Sequence, residues 1–188
     1  MKKKFAVFIS GYGRGAIEII KDYKFGLVRP ELSLLLSDNK MSYALEIAKK
    51  NSISTVVIEK NKYKSKCYFE EEIINELKKK EIDYIFLAGW MNIIGQTILS
   101  IYPNKIVNIH PSLLPSFKGL NAIEQALKYG VKITGVTTHI VDNLIDNGKI
   151  LKQIPISVES NDTFKTLDNK IFKAGTILTL ETINEYFI

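Results

Sequence analysis

The chain has 188 residues, about the size of one domain and too short for two full enzyme domains. Its 46% hydrophobic and 24% charged residues exclude a disordered or fibrous chain, and no apolar run nears the roughly 18 residues of a membrane span. Lys and Arg total 26 against 20 Asp and Glu, a net charge of +6; this suits an anionic small molecule, whereas no aromatic-interleaved basic stripe points to nucleic acid.

Phe5-Ala6-Val7-Phe8-Ile9 is an apolar run without alternation, as expected of a strand covered on both faces. It is too brief for the apolar region of a signal peptide, although Met1-Lys2-Lys3-Lys4 is basic. Gly11-Tyr12-Gly13-Arg14-Gly15 breaks the strand, and 16–23 reads as a helix with Ile17, Ile20 and Tyr23 on one stripe. A second strand over 32–36 leads through Ser37-Asp38-Asn39 to a helix near 41–50, and 55–58 gives a third strand. Residues 68–80 form an amphipathic helix with Phe69, Ile73, Ile74 and Leu77 on its apolar face, and 84–87 a fourth strand. Strands alternating with helices predict an α/β fold: a single-domain, mostly parallel twisted sheet with helices on both faces.

A fifth strand covers 106–109, and the texture then changes. Pro111, Pro115 and Gly119 punctuate an irregular stretch over 111–120, and a short helix over 122–129 ends at Gly130. Extended segments over 134–141 and 149–157 are joined by a turn through Asp146-Asn147-Gly148. Asn161 or Asp162 caps a last helix, in which Phe164, Leu167, Ile171, Ala174 and Leu178 recur at helical spacing.

The two histidines carry the most information. Asn108 and His110 are two apart at the end of the fifth strand, so their side chains share a face. Open α/β sheets place ligand crevices at the carboxyl ends of their strands, and Pro111 leaves the imidazole at that edge rather than inside the sheet. An amide N–H stabilises a developing oxyanion, and an imidazole moves protons near neutral pH. Asp142 and Asp146 are the candidates to orient that ring or raise its pKa. His139 sits mid-strand and reads as a supporting residue. Two histidines 29 apart, without cysteine partners, do not read as a metal site.

The loop Gly11-x-Gly13-x-Gly15 leaves a strand and opens a helix, which presents backbone N–H groups to a phosphate. It departs from G-x-G-x-x-G, and Asp38 only mimics the ribose-binding acid of the dinucleotide fold. Cys67, the only cysteine, excludes an internal disulfide and points to the cytoplasm. Its lysine-rich setting at a helix start would lower its pKa, yet a lone exposed thiol reads as a passenger.

The run Asn108-Ile109-His110-Pro111-Ser112-Leu113-Leu114-Pro115-Ser116-Phe117-Lys118-Gly119 closely resembles the central motif of the folate-dependent formyltransferases, above all their phosphoribosylglycinamide branch. The likeness continues through Gln125-Ala126-Leu127, Thr134 to Asp142, and Asp146-x-Gly148-x-Ile150. Upstream, Leu87-Ala88-Gly89-Trp90-Met91 and Ile9-Ser10-Gly11-x-Gly13 resemble the family's folate and phosphate segments. The resemblance implies a Rossmann-like formyltransferase sheet and transfer of a formyl group from 10-formyltetrahydrofolate, as co-substrate, to a primary amine in purine biosynthesis.

It further implies that Asn108, His110 and Asp146 form the catalytic constellation. Asn108 and His110 would stabilise the tetrahedral oxyanion, while Asp146 holds and charges His110 and relays the amine's proton. The folate would lie against Leu87, Trp90, Met91, Asn92, Ile93 and the segment from Val141 and Asp142 to Asp146. The acceptor's phosphate would meet Gly11 to Gly15 and Lys66, which stands where the family commonly has Arg. Neither a metal, nucleic acid nor membrane is implied, and monomer and homodimer both stay open.

Two departures concern the acceptor. Arg14-Gly15 replaces the Ser-Asn of the phosphoribosylglycinamide branch, and Ala174-Gly175 stands at its final-helix Glu-His, whose Glu contacts the acceptor's amine end. Another amine, such as an amino-sugar nucleotide, is therefore an alternative acceptor, and a non-catalytic nucleotide-binding homologue is a third reading.

Overall fold

The computed structural model describes residues 2–188. Alternation along the first strand sets the layering. In β1 (Lys4–Ile9), Phe5, Val7 and Ile9 pack on one side with buried residues of α1 (Arg14–Lys24), α2 (Tyr43–Lys50) and α6 (Phe164–Tyr186). Ala6 and Phe8 point the other way, into a cluster with α3 (Lys66–Lys79) and α4 (Gln96–Ile101). A strand apolar at every position is thus buried on both faces. A third cluster joins Ile123 of α5 (Ala122–Tyr129) to Leu167, Ile171 and Leu178 of α6.

The remaining strands are β2 (Glu31–Ser37), β3 (Ser54–Val57), β4 (Tyr84–Leu87), β5 (Ile106–His110), β6 (Ile133–Ile140) and β7 (Ile150–Ser157). They form one sheet in the order β3-β2-β1-β4-β5-β6-β7. β1 to β5 run parallel, and β6 and β7 are antiparallel to their neighbours. The chain steps outward from β1 to β3 and returns across β1 to lay down β4. The loops after β1 and β4 therefore diverge and open a crevice at their carboxyl ends. At the opposite end Phe187 stacks on Tyr84 at 4.7 Å and meets Phe5 at 5.6 Å, fixing the end of α6 under the sheet.

Several boundaries differ from the sequence reading. α1 begins at Arg14 because Gly13, at φ 85°, takes the left-handed conformation and caps it, so Arg14 and Gly15 belong to the helix. A Cβ at Gly13 would overlap Ala44 of α2. The buried stripe of α1 is Ala16, Ile19 and Ile20, with Ile17 and Tyr23 at its margin. Thr163, rather than Asn161 or Asp162, caps α6 through a reciprocal box with Thr166. Phe164, expected on the apolar stripe, is exposed. The six-residue α4 and a 3₁₀ turn at Lys60–Lys62 had no periodic signal long enough to show. No helix among the described residues is long and apolar enough to cross a membrane.

Candidate active site

A cavity of about 880 Å³ lies over the carboxyl ends of β1, β4 and β5, beneath α6 and the loops that follow those strands. Of the residues singled out from the sequence as candidate site residues, all but Lys66 line it. Lys66 stands at the start of α3 with its ammonium 3.6 Å from Glu70.

Its floor is built by strand pairing. The antiparallel register sets Asn108 opposite His139 and His110 opposite Thr137. Asp146 comes from the turn between β6 and β7, which folds back because Gly148 leaves room for the carbonyl oxygen of Ile140; any Cβ there would run into it. Asp142 Oδ1 accepts from the Leu144 N–H at 2.9 Å and braces that turn. Asp146 itself has φ 47°. Its carboxylate Oδ2 stands 3.2 Å from His110 Nδ1 and accepts from the Gly119 N–H at 2.8 Å. Oδ1 lies 3.5 Å from His139 Nε2 and 3.5 Å from Asn108 Nδ2.

His110 is 5% exposed. It ends β5 as expected, but it is buried, because the loop over 111–121 closes over the ring. The Phe117 carbonyl lies 2.8 Å from His110 Nε2. Burial is the largest influence on this ring and lowers its pKa below the ordinary value of 6.5; the Phe117 carbonyl and the Asp146 charge raise it only in part. Asp146 therefore does not win the contest to charge the ring. Burial also pushes the Asp146 carboxyl up, but the His139 ring, the Gly119 N–H and the neighbouring His110 together hold it below its ordinary value. Both His110 nitrogens face oxygen acceptors, so a neutral ring leaves one lone pair against an oxygen. Taking a proton satisfies both contacts, which makes this imidazole a good proton acceptor beside a fixed anion.

One wall of the cavity is apolar. Trp90 lies against Phe8 and Phe69, while Met91, Ile93, Leu144 and Ile145 stand exposed at the rim. Trp90 Nε1 is buried without a hydrogen-bond partner. The opposite wall is the glycine loop. The two are tied together: Ser10 N–H donates to the Gly89 carbonyl at 3.0 Å, and Met91 N–H to Ser10 Oγ at 2.9 Å. Asp38 is not a ribose-binding acid here. It accepts from Asn92 Nδ2 at 2.6 Å and does not line the cavity.

The α6 side of the cavity corrects two further expectations. Gly175 and Thr176 of α6 line the cavity, whereas Ala174 turns into the cluster around Leu167 and Ile171. Of the two positions, Gly175 is thus the one at the cavity, and it carries no carboxylate. Arg14 is engaged in a two-pronged ion pair with Asp168. The sequence reading missed Asp168, and one signal pointed to such a partner: an arginine opening a helix whose first turn has no acid of its own. Cys67 is exposed, and hydrogen bonding to Glu71 raises its pKa, opposite to the lysine-based expectation. Among the described residues no group of three or more His, Cys, Asp or Glu is placed to hold a metal.

Comparison with known proteins identifies the fold. A family model described as formyl transferase matches residues 3–183. The chain is 40% identical over 171 residues to the phosphoribosylglycinamide formyltransferase of Bacillus subtilis, covering 91% of this chain and 88% of that one. The crystal structure of phosphoribosylglycinamide formyltransferase from Bacillus halodurans superposes with a TM-score of 0.94 at 42% identity, over 97% of this chain and 94% of that chain. Glycinamide ribonucleotide transformylase 1 from Geobacillus kaustophilus gives 0.97 at 38% identity over the full length of both. With the family model spanning nearly all of it, this chain belongs to the formyl transferase family.

Proposed function

We propose that this protein transfers the formyl group of 10-formyltetrahydrofolate to the amine of phosphoribosylglycinamide, a step of purine synthesis. One observation carries the reading. An amide, an imidazole and a carboxylate, from Asn108, His110 and Asp146, meet within 3.5 Å of Asp146 on the floor of a cavity with one apolar wall and one glycine-loop wall.

The apolar wall fits a flat heteroaromatic donor. Trp90, Met91, Ile93 and Val141 line this side, and the exposed Met91 and Ile93 side chains at the rim suit a ligand that covers them. When bound, the donor supplies a formyl carbon open to attack by the acceptor's nitrogen. Asn108 Nδ2 donates toward Asp146 through a long 3.5 Å bond, the weaker of its two contacts, so that N–H is the one to turn to the developing oxyanion. His110 reaches the reacting atoms by releasing Phe117 O from Nε2 or Asp146 from Nδ1. The ring, neutral through burial, accepts the proton that the attacking amine sheds, and the Asp146 carboxylate stabilises the imidazolium that results. Returning that proton to the donor's nitrogen as the carbon–nitrogen bond breaks restores the neutral ring. Gly11 to Gly15 receive the acceptor's phosphate at the N-terminus of α1. Cys67 as the only cysteine is in keeping with a reaction in the cytoplasm.

The test is an acceptor panel with the folate donor and purified protein. The reading expects donor consumption with phosphoribosylglycinamide and none without an amine. Turnover with an amino-sugar nucleotide but not with phosphoribosylglycinamide would overturn the acceptor assignment and keep formyl transfer. Silence with every amine would overturn both.

A further inference from the structure

Arg14 is the only Lys or Arg among the residues lining the cavity, whereas Glu18, Asp22, Asp142, Asp146 and Asp168 all line it. A chain of net charge +6 thus brings one cation against five carboxylates to the place where an anionic acceptor is received. That cation is already engaged. Arg14 Nη1 donates to Asp168 Oδ2 at 2.6 Å, and Nη2 donates to Asp168 Oδ1. The guanidinium carbon lies 4.4 Å from the centre of the Phe172 ring. Asp168 and Phe172 are one turn apart on α6, so a single helix face presents both the carboxylate and the ring.

Pairing through two nitrogens is the geometry with which a guanidinium grips a phosphate. Asp168 therefore occupies the fork that a phosphate monoester would use. The start of α1 adds to what a phosphate would find there, since its first turn has no acid and Gly13 lends no side chain to the free N–H groups. The pair is open to water, with the Arg14 side chain 51% and the Asp168 side chain 18% exposed, so it is weakly held. A phosphate monoester near pH 7 carries up to twice the charge of the carboxylate and more acceptor oxygens. Both anions crowded around one cation would repel each other.

Resting on the formyl-transfer reading above, we propose that Asp168 is an internal competitor for the acceptor's phosphate. Arg14 passes from Asp168 to the phosphate on binding, the Phe172 ring supports the guanidinium, and Asp168 sets how tightly phosphorylated acceptors are held. Asp168 is thus a specificity-determining residue. It disfavours binding of simple anions that engage Arg14 alone, and it leaves affinity to acceptors that make further contacts along the cavity.

The experiment measures binding of inorganic phosphate by calorimetry to the full chain, to Asp168→Asn, to Arg14→Ala and to the double variant, with a melting curve for each. Asp168→Asn is expected to bind phosphate about tenfold more tightly than the unaltered protein, the scale of one nearby charge partly screened by water. In the Arg14→Ala background the same change is expected to shift affinity by less than about twofold, because the two residues act as one unit. Asp168→Ser serves as the second variant should the asparagine fail to fold. Unchanged or weaker binding in Asp168→Asn, no measurable binding to any variant, or an equal gain without Arg14 would each overturn the proposal. Phosphate binding reads the pair whether or not phosphoribosylglycinamide is turned over. Tightened binding without turnover removes the acceptor assignment alone, and turnover without tightened binding removes the competitor alone.

Discussion

Asn108 and His139 face each other across the β5–β6 ladder, with the amide Nδ2 3.2 Å from the ring Nε2. His139 Nδ1 lies 2.9 Å from the Ile140 carbonyl, and in the tautomer with its proton on Nδ1 the ring turns Nε2 to the Asn108 amide as an acceptor. His139, 2% exposed, is therefore the part that fixes which way the Asn108 amide points. In His139→Ala the amide is free to rotate. We expect kcat to fall by up to about 100-fold, the effect of misplacing a group by an ångström, with a much smaller change in KM for the donor. His139→Gln, which keeps an acceptor oxygen, should recover part of the loss; steady-state kinetics of the two variants checks this.

The buried imidazole makes a pH prediction. Because the folded-state pKa of His110 lies below 6.5 and the neutral ring is the proton acceptor, kcat/KM should fall on acidification with a midpoint below 6.5. The sign for stability is the same. A histidine with a depressed pKa contributes stability that is present above 6.5 and lost as the pH falls through the folded value. Asp146, also depressed, contributes above its ordinary 3.8 and loses that contribution at still lower pH. Melting curves between pH 7.5 and 5 should show a smaller drop in Tm for His110→Gln than for the unaltered protein. A midpoint for kcat/KM above 6.5 would contradict the assignment.

Gly148→Ala tests the delivery of the carboxylate. A Cβ at this position meets the Ile140 carbonyl, so the turn must move and carry Asp146, two residues away, with it. The expected cost is about 1–3 kcal/mol in stability, as for overpacking elsewhere, with a fall in kcat of about tenfold or more. Denaturant unfolding and kinetics on the same sample separate the two effects.

Glu70 holds the apolar wall of the cavity from behind. It is 2% exposed, and its Oε1 accepts from the Gly95 N–H at 2.6 Å, which anchors the segment carrying Met91 and Ile93. Lys66 is the cation beside it. Glu70→Ala leaves that N–H without its partner, at a cost of about 1–3 kcal/mol, and should raise KM for the folate donor more than it lowers kcat. Glu70→Gln keeps the accepting oxygen and should stay close to the unaltered protein in donor KM.

Much of this was legible in the chain. The apolar run at 5–9 and the leucine-rich run at 32–36, each followed by a helix stripe, define parallel strands by local pattern. The two-residue spacing of Asn108 and His110 ahead of Pro111 placed both on one face at a strand end. What escaped depends on contacts that no local pattern carries. The burial of His110 comes from the loop closing through Phe117, the orientation of Asn108 from the register of β6, and the neutralising of Arg14 from Asp168, 154 residues away. The Cys67 expectation failed for a local reason: it weighed the lysines before Cys67 and not the helical spacing that brings Glu71 to the thiol one turn later. A short helix such as α4 escapes because six residues span under two turns.

The most direct measurement is kcat of His110→Ala with 10-formyltetrahydrofolate and phosphoribosylglycinamide at saturation, alongside a melting curve. The account predicts a folded variant slowed by about 100-fold or more, the scale of a lost acid–base group. A folded His110→Ala protein with near-normal kcat would contradict it.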